Sequence, residues 1–406
     1  MTAEGRLPAA PPPQRLRSGR NAVACRCVAL LIESSNAYGR GLLAGVYDHT
    51  SASESWITFL PEHGRGEPPL PWLRSWRGDG ILARIENERI ADVVTTLGLP
   101  AIDVSAARLL PGLPYVETDD AAIARLAATH LREIGLRSFA FCGNDRFTWS
   151  GNRLRAFTEE MERHGHAVDA FVLHAGGNGA KRRAAEDGDA DLSQWLSGLP
   201  KPVGVFACYD GLGRRVIDVC HAASIAVPEE VAVIGVDDDD LLCRLSKPPL
   251  SSVIPDARGA GRLAAELLDR VLDGGQVPGG SLLAPRGIVV RQSTDILAAD
   301  DPLLAAASRF IRENISQGIK VENVAAAVGV GRRALETRFS RAIGRTPHEE
   351  IARVQFRLVK DLLRHSELKL AAIARRCGFR HTEYMTAAFT KRYGMSPREW
   401  RQSNHG

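Results

Sequence analysis

The sequence predicts an α/β region folded as two lobes, followed by an all-helical domain that carries two helix-turn-helix units. Three observations lead there. Short β-branched runs alternate with amphipathic stretches from Cys25 onward, the alternation stops near residues 295–303, and the segment beyond repeats itself with a shift of 49 to 50 residues.

With 406 residues the chain exceeds one ordinary core and suits two or three domains. Residues 1–21, which include the run Pro11 to Pro13, offer too little apolar surface to order themselves and are expected to form a disordered tail. A first strand is expected at Val28 to Ile32, with a helix from Gly39 to His49. The pairing recurs at Gly80 to Ile85 with Ile90 to Leu97, and at Phe139 to Cys142 with Asn152 to His164. It continues with Val203 to Ala207 and Gly211 to Ala223, then Val231 to Val236, and a helix from Arg258 to Leu272. Such alternation builds a parallel sheet covered by helices on both faces, and about 275 residues of it favour two lobes. The expected domains are therefore residues 22–297 and 302–406.

Composition narrows the function classes. No apolar run approaches the ~18 residues of a membrane span, and the first twenty residues lack the apolar centre of a secretory signal, so a cytoplasmic protein with no membrane contact is expected. The seven cysteines are scattered and mostly sit in apolar surroundings, which suits reduced core thiols. Charge is polarised: residues 302–406 carry 20 Lys and Arg against 9 Asp and Glu, whereas residues 1–301 carry 32 against 39. The basic end is the part that phosphate would attract.

Within that basic end, Val321, Val324, Ala325 and Val328 fall at i, i+3, i+4 and i+7 ahead of Gly329 and Val330. Leu370, Ile373, Ala374 and Cys377 repeat the spacing ahead of Gly378 and Phe379. Each set describes a short amphipathic helix stopped by a glycine able to take positive φ. A second helix follows in each copy, carrying Leu335, Phe339 and Ile343 in one and Met385, Ala388 and Phe389 in the other. Both copies close on matching phrases, Gly344 to Pro347 and Gly394 to Pro397. Helix, glycine turn and helix make a helix-turn-helix. Two copies are too few for a packing-only solenoid. The outer faces of the second helices bear Arg332, Arg333, Glu336, Thr337 and Arg338, and Arg380, His381, Thr382, Glu383 and Thr386, side chains suited to base edges and phosphates of double-stranded DNA. A helix with Ile351, Val354, Leu358 and Leu362 on one face separates the units. If both recognition helices enter successive major grooves, they stand roughly 34 Å apart.

The run from Ile373 through Cys377-Gly378-Phe379, Tyr384, Phe389, Gly394 and Pro397 to Trp400 resembles the signature of AraC/XylS-type transcription regulators. The resemblance covers about a hundred residues and implies that Gly378, Phe379, Tyr384, Phe389, Gly394 and Pro397 are scaffold. It assigns DNA reading to Arg333, Glu336 and Thr337 in the first unit and to Thr382, Glu383 and Thr386 in the second. Ala387 stands where some relatives place an Arg, which weakens the second unit's expected contacts. Met385 and Trp400 replace the commoner Phe and Tyr or Phe.

Upstream, several phrases resemble the sensing core of lac-repressor-type regulators, which share the periplasmic-binding-protein fold. They are Val116 to Asp120 with His130 and Gly135, Arg153 with Ala156 and Phe157, Val233 to Asp238, Pro248 to Val253, and Val290 to Thr294. That family's N-terminal DNA-binding unit is not expected here, because Val28 to Ile32 already reads as sheet. The order, sensor first and two helix-turn-helix units last, together with the phrase from Leu31 to Val46, resembles regulators of sugar catabolism. It implies a small sugar ligand, D-xylose foremost, with another pentose or a hexose left open, and a homodimer that acts as an activator through RNA polymerase.

A polyol needs carboxylates to accept from adjacent hydroxyls and an Arg fork to donate to their oxygens. Carried over by position, Asp119, Arg153, Asp237 and Asp210 are the ligand candidates. Asn36, Tyr38 and Arg40 are placed at the carboxyl end of the first strand, where such sheets bind ligands. Trp149 and Tyr209 offer rings to stack on a sugar face. The Asp237 to Asp240 run reads otherwise as a solvated loop or helix cap. The turn from Gly176 to Lys181 lacks the ending of a phosphate loop. No cofactor or metal is expected. With no nucleophile motif, phosphate loop or metal-ligand spacing, an enzyme is the weaker class.

Overall fold

A computed structural model describes residues 25–51, 55–61, 73, 76–174, 183–296 and 301–404. The expected tail at residues 1–21 and the turn from Gly176 to Lys181 lie outside them. Two compact units divide between Asp295 and Ile296.

The first unit begins with β1 (Arg26–Leu31), α1 (Ala37–Thr50), β2 (Trp56–Phe59), β3 (Gly80–Ala83), α2 (Glu88–Leu97), β4 (Ala101–Asp103) and β5 (Tyr115–Thr118). There follow α3 (Asp120–Glu133), β6 (Ser138–Asn144), α4 (Thr148–Arg163), β7 (Val168–Leu173), α5 (Arg183–Gly198) and β8 (Val203–Ala207). The unit ends with α6 (Asp210–Ala222), β9 (Val231–Val236), α7 (Asp240–Leu245), β10 (Ser251–Ile254), α8 (Ala257–Leu272), β11 (Gly280–Leu283) and β12 (Gly287–Val289). These strands form two six-stranded sheets, ordered β11-β5-β4-β3-β1-β2 and β12-β10-β9-β8-β6-β7. All pairings are parallel except β10 with β12.

Strand β1 shows why its apolar run is continuous. Val28, Leu30 and Ile32 face one core with α1 and α8, while Ala29 and Leu31 face another with α2. Side chains alternate across a strand, so a sheet covered on both faces needs apolar residues at every position. The chain passes between the sheets after β5, after β10 and after β11. The crossings are tied to one another: the Asp119 amide donates to the Leu283 carbonyl (2.8 Å), and that of Arg286 to the Ile254 carbonyl (2.8 Å). Two lobes joined by adjacent strands leave a cleft at the carboxyl ends of both sheets.

The second unit is helical among its described residues. It contains α9 (Pro302–Asn314), a single 3-10 turn (Ile315–Gln317), α10 (Val321–Ala327), α11 (Arg332–Ile343), α12 (Pro347–His365), α13 (Leu370–Arg376), α14 (Thr382–Tyr393) and α15 (Pro397–Asn404). Two separate cores correspond to the sequence repeat. One gathers Ile311, Val324, Leu335 and Phe339, the other Val359, Ile373, Met385 and Phe389. Helix α12 serves both, giving Ile351 and Val354 to the first and Phe356, Val359 and Leu363 to the second. Its start is fixed by a capping box in which the Thr346 hydroxyl accepts from the Glu349 amide and the Glu349 carboxylate accepts from that of Thr346.

Candidate ligand cleft and nucleic-acid face

The first lobe presents a wall of buried, mutually paired charges at its strand ends. Glu33 follows β1, Arg84 follows β3 and Glu117 lies in β5 beside its end; all three are buried. Removing a lone charge from water is costly, so each is held by a partner. Arg84 donates to Glu33 and, at 2.5 Å, to Glu86, and its guanidinium lies 5.0 Å from the centre of the Tyr38 ring. The Tyr38 hydroxyl donates to Glu117 Oε1, which also accepts from the Thr118 amide at 2.9 Å. Burial and the nearby Asp120 carboxylate push Glu117 up to about 7, against the pull of Arg84 and the Tyr38 hydrogen bond. At the end of β4, burial pushes Asp103 up to about 6.

The second lobe supplies the opposite wall. Arg153, buried in α4, donates from Nε to Asp120 (2.8 Å) and from Nη1 to the Cys208 carbonyl (2.6 Å). Its guanidinium stands 4.9 Å from the Trp149 ring, which stacks on Phe147 at 4.8 Å and meets Tyr209 edge-on at 5.9 Å. Burial works against the Arg153 charge, and the Asp120 carboxylate, joined by Asp237, outweighs it and raises the Arg153 pKa. Asp237 leaves β9 with φ of 108°, a conformation that costs on the order of 1–3 kcal/mol and persists only where its surroundings enforce it. They do so here: the amide of Asp237 donates to Val253, that of Asp238 to the Ser252 hydroxyl, and that of Asp239 to Asp210.

The predicted ligand residues thus separate by role. Arg153, Asp237, Trp149 and Tyr209 come together in one wall. Asp210, expected as a ligand contact, is 2% exposed, and its carboxylate accepts from the Ser252 hydroxyl (2.6 Å), the Asp239 amide (2.7 Å) and the Cys243 thiol (3.3 Å). Those donors, together with burial and the Asp237 charge that raise its pKa, make Asp210 the brace of the strained turn. Asp119 caps α3, accepting from the Ala122 amide, within the first crossing. Asn36 caps α1 and donates to Glu33 at 2.9 Å. Tyr38 is a buried part of the first wall. Arg40 reaches across the cleft to Asp239, 3.3 Å away, and Asp239 is itself the cap of α7. Of the Asp237 to Asp240 run, Asp238 is taken up by Arg291 at 2.7 Å and Asp240 by Arg244 at 2.8 Å. No group of residues able to hold a metal occurs among those described.

Sequence reasoning missed Glu33, Arg84, Glu117 and Asp120. Two of them, Glu117 and Asp120, sit inside the phrase that drew attention to Asp119. A signal was available in charged residues that interrupt or end otherwise apolar strand runs.

On the helical unit, Arg332, Arg333, Thr337 and Arg338 are exposed and Glu336 is partly so. Arg332 donates to Glu336 at 2.8 Å and pairs with Glu322 of α10, while Arg338 lies 3.4 Å from Asp301 at the start of α9. Thr337 turns its hydroxyl back to the Arg333 carbonyl (2.9 Å). In the second copy Arg380, His381 and Glu383 are exposed, and Thr382 and Thr386 half-buried. Tyr384, expected as scaffold, is 64% exposed, with its ring 6.3 Å from Phe379. The reason is helical spacing: Met385 and Phe389, four apart, take the core side, which turns Tyr384 outward with Glu383.

A two-lobed sensor of this topology joined to a double helix-turn-helix unit defines a ligand-controlled transcription regulator. Matches to family models agree: residues 27–121 match the XylR N-terminal domain, residues 128–294 a periplasmic binding protein-like domain, and residues 324–403 a helix-turn-helix domain. The xylose operon regulatory protein of Escherichia coli K12 is 32% identical over 386 residues, covering 93% of this chain and 97% of that protein. That of Haemophilus influenzae is 31% identical, covering 92% and 97%. A solved structure of the xylose-binding transcription activator XylR superposes with a TM-score of 0.77 at 31% identity, over 94% of this chain and 99% of that one. The chain belongs to the family of xylose operon regulatory proteins, and it is a regulator, not an enzyme.

Proposed function

We propose that the chain is a cytoplasmic, D-xylose-responsive activator that binds the sugar between the lobes of its sensor. The observation that carries this reading is the pair of facing walls, Glu33, Arg84 and Tyr38 on one and Arg153, Asp237, Trp149 and Tyr209 on the other. Carboxylates and guanidinium groups suit adjacent hydroxyls, and aromatic rings suit the apolar face of a pyranose. Full-length likeness to xylose regulators favours xylose over other sugars. Sugar held by both lobes stabilises the closed arrangement in proportion to its differential affinity. The two helix-turn-helix units then read double-stranded DNA through Arg333, Glu336 and Thr337 and through Thr382, Glu383 and Thr386. Arg332, Arg338, Arg380 and His381 hold phosphates. A homodimer that recruits RNA polymerase completes the proposed activity.

A thermal-shift panel of pentoses and hexoses tests the ligand. A ligand at 100 times its Kd stabilises by about 2.7 kcal/mol, which shifts a domain of this size by several degrees. D-xylose is expected to give the largest shift. A larger shift with another sugar reassigns the effector, and no shift with any sugar removes the cleft reading.

A further inference from the structure

The two copies of the helix-turn-helix use their matched turn glycines differently. Gly329 and Gly378 have the same left-handed backbone, with φ of 71° and 74°. Around Gly329 a Cβ would meet nothing within 4 Å, so this glycine serves its own turn. At Gly378 a Cβ would stand 2.0 Å from the Ile315 carbonyl oxygen, 2.9 Å from the Gly318 nitrogen and 3.1 Å from the Gly318 Cα. The contact is reciprocal, since a Cβ on Gly318 would come within 3.0 Å of the Gly378 carbonyl oxygen. Gly318 ends the 3-10 turn Ile315–Gln317 with φ of 66°, two residues before the Lys320 cap of α10. Ile315 itself belongs to the core of the first copy.

We infer that this glycine-to-glycine contact is a positioning device that fixes the second DNA-reading helix relative to the first. The argument is one of constraint. Helix α12 joins the copies, but a single shared helix leaves bending and rotation about its axis open. A second attachment between the turn before α14 and the entry to α10 closes the connection into a loop of rigid pieces. The backbone of Ile315 and Gly318 comes so close to Gly378 that a Cβ there has no room, so the contact is short and sterically exclusive on that side. Its consequence is spacing: two recognition helices held at one separation bind only grooves at the matching separation. The inference rests on the proposal that both copies engage DNA.

The test uses the full chain and a duplex that it selects from a random pool, with and without about five base pairs, half a helical turn, inserted between the two half-sites. For the unsubstituted chain the insertion is expected to cost about 10²-fold or more, because the second contact loses its linkage to the first. Gly378→Ala is expected to weaken binding to the original duplex and to flatten the spacing dependence to less than about tenfold. Gly329→Ala carries the same left-handed strain without the contact, so it keeps the full spacing dependence. Gly318→Ala, a milder intrusion from the opposite side, flattens it too and gives the answer if Gly378→Ala does not fold. Unchanged spacing dependence in the folded Gly378 or Gly318 variants overturns the inference. If the unsubstituted chain shows no spacing dependence, it is the two-copy reading of DNA that fails.

Discussion

At the scale of single residues, the cleft asks two side chains to do opposite things. Asp237 is held in a left-handed conformation beside Arg153, so its charge is delivered at a fixed place. Asn tolerates positive φ at least as well as Asp. Asp237→Asn is therefore expected to fold, to lose the sugar-induced thermal shift, and to keep the DNA affinity of the ligand-free chain; a normal shift in that variant moves the pocket elsewhere. Glu117 works through its proton. Burial raises it from an ordinary 4.5 to about 7, and Asp120 adds to the rise. A carboxyl whose folded pKa lies above its unfolded one stabilises the fold only while protonated, so its contribution is full below about 4.5 and is lost as pH climbs through about 7. Gln stands in for the protonated form. The stability of Glu117→Gln relative to the unsubstituted chain, followed by denaturant titration from pH 4.5 to 8, is expected to rise across that window and then level. A flat difference means that folding does not raise the pKa of Glu117.

At the scale of elements, the two helical cores are separable. Phe339 fills the first and Phe389 the second, both fully buried. Truncating either to Ala should cost ~3–5 kcal/mol. Each variant is expected to lose hydrogen-exchange protection first in its own copy, with sugar binding by the sensor unchanged. Equal loss in both copies shows instead one cooperative core joined through α12. These elements were legible in the sequence because their signals are local: a 3.6-residue period, a stopping glycine, and apolar runs such as Val203 to Ala207 and Val231 to Val236 that became buried strands. Short edge strands escaped. In β11, Gly280–Leu283, Leu282 is 58% exposed, so the strand lacks the apolar run that marks a covered one. The first wall of the cleft escaped for a different reason. Glu33, Arg84 and Glu117 lie far apart in sequence and meet only because β3 lies beside β1, and β4 connects β3 to β5. That neighbour order is a property of the sheet and not of any segment. Arg153 and Asp237 were reachable through family phrases, but the burial of Asp210 was not, since the same Asp at a helix start caps, braces or binds according to what surrounds it.

At the scale of the whole molecule, the polarity of charge assigns the nucleic-acid work to one end. The last 105 residues hold 20 Lys and Arg against 9 Asp and Glu, while the rest of the chain is net acidic. Part of that positive charge is already engaged: Arg332 with Glu322 and Glu336, Arg353 with Glu350, and Arg345 with Glu350. Exposed pairs of this kind are worth about 0–1 kcal/mol, so Arg332 can exchange its carboxylates for a phosphate at little cost. The Arg353 pair is of another kind, because Glu350 is 1% exposed and Arg353 only partly so, and removing one partner of a largely desolvated pair costs more than removing one of an exposed pair. Phosphate contacts made by the surface arginines displace condensed counterions from DNA, and each displaced ion steepens the dependence on salt. With six or more phosphates engaged, affinity for a selected duplex is expected to fall by about 10³ or more between 50 and 200 mM salt. Arg333→Ala should weaken binding and flatten the logarithmic slope by about one only if that side chain holds a phosphate; an unchanged slope with altered sequence preference makes it a base reader. Fluorescence anisotropy across a salt series, on the unsubstituted chain and on this variant, decides between the two, and a complex insensitive to salt removes the electrostatic account of the basic domain.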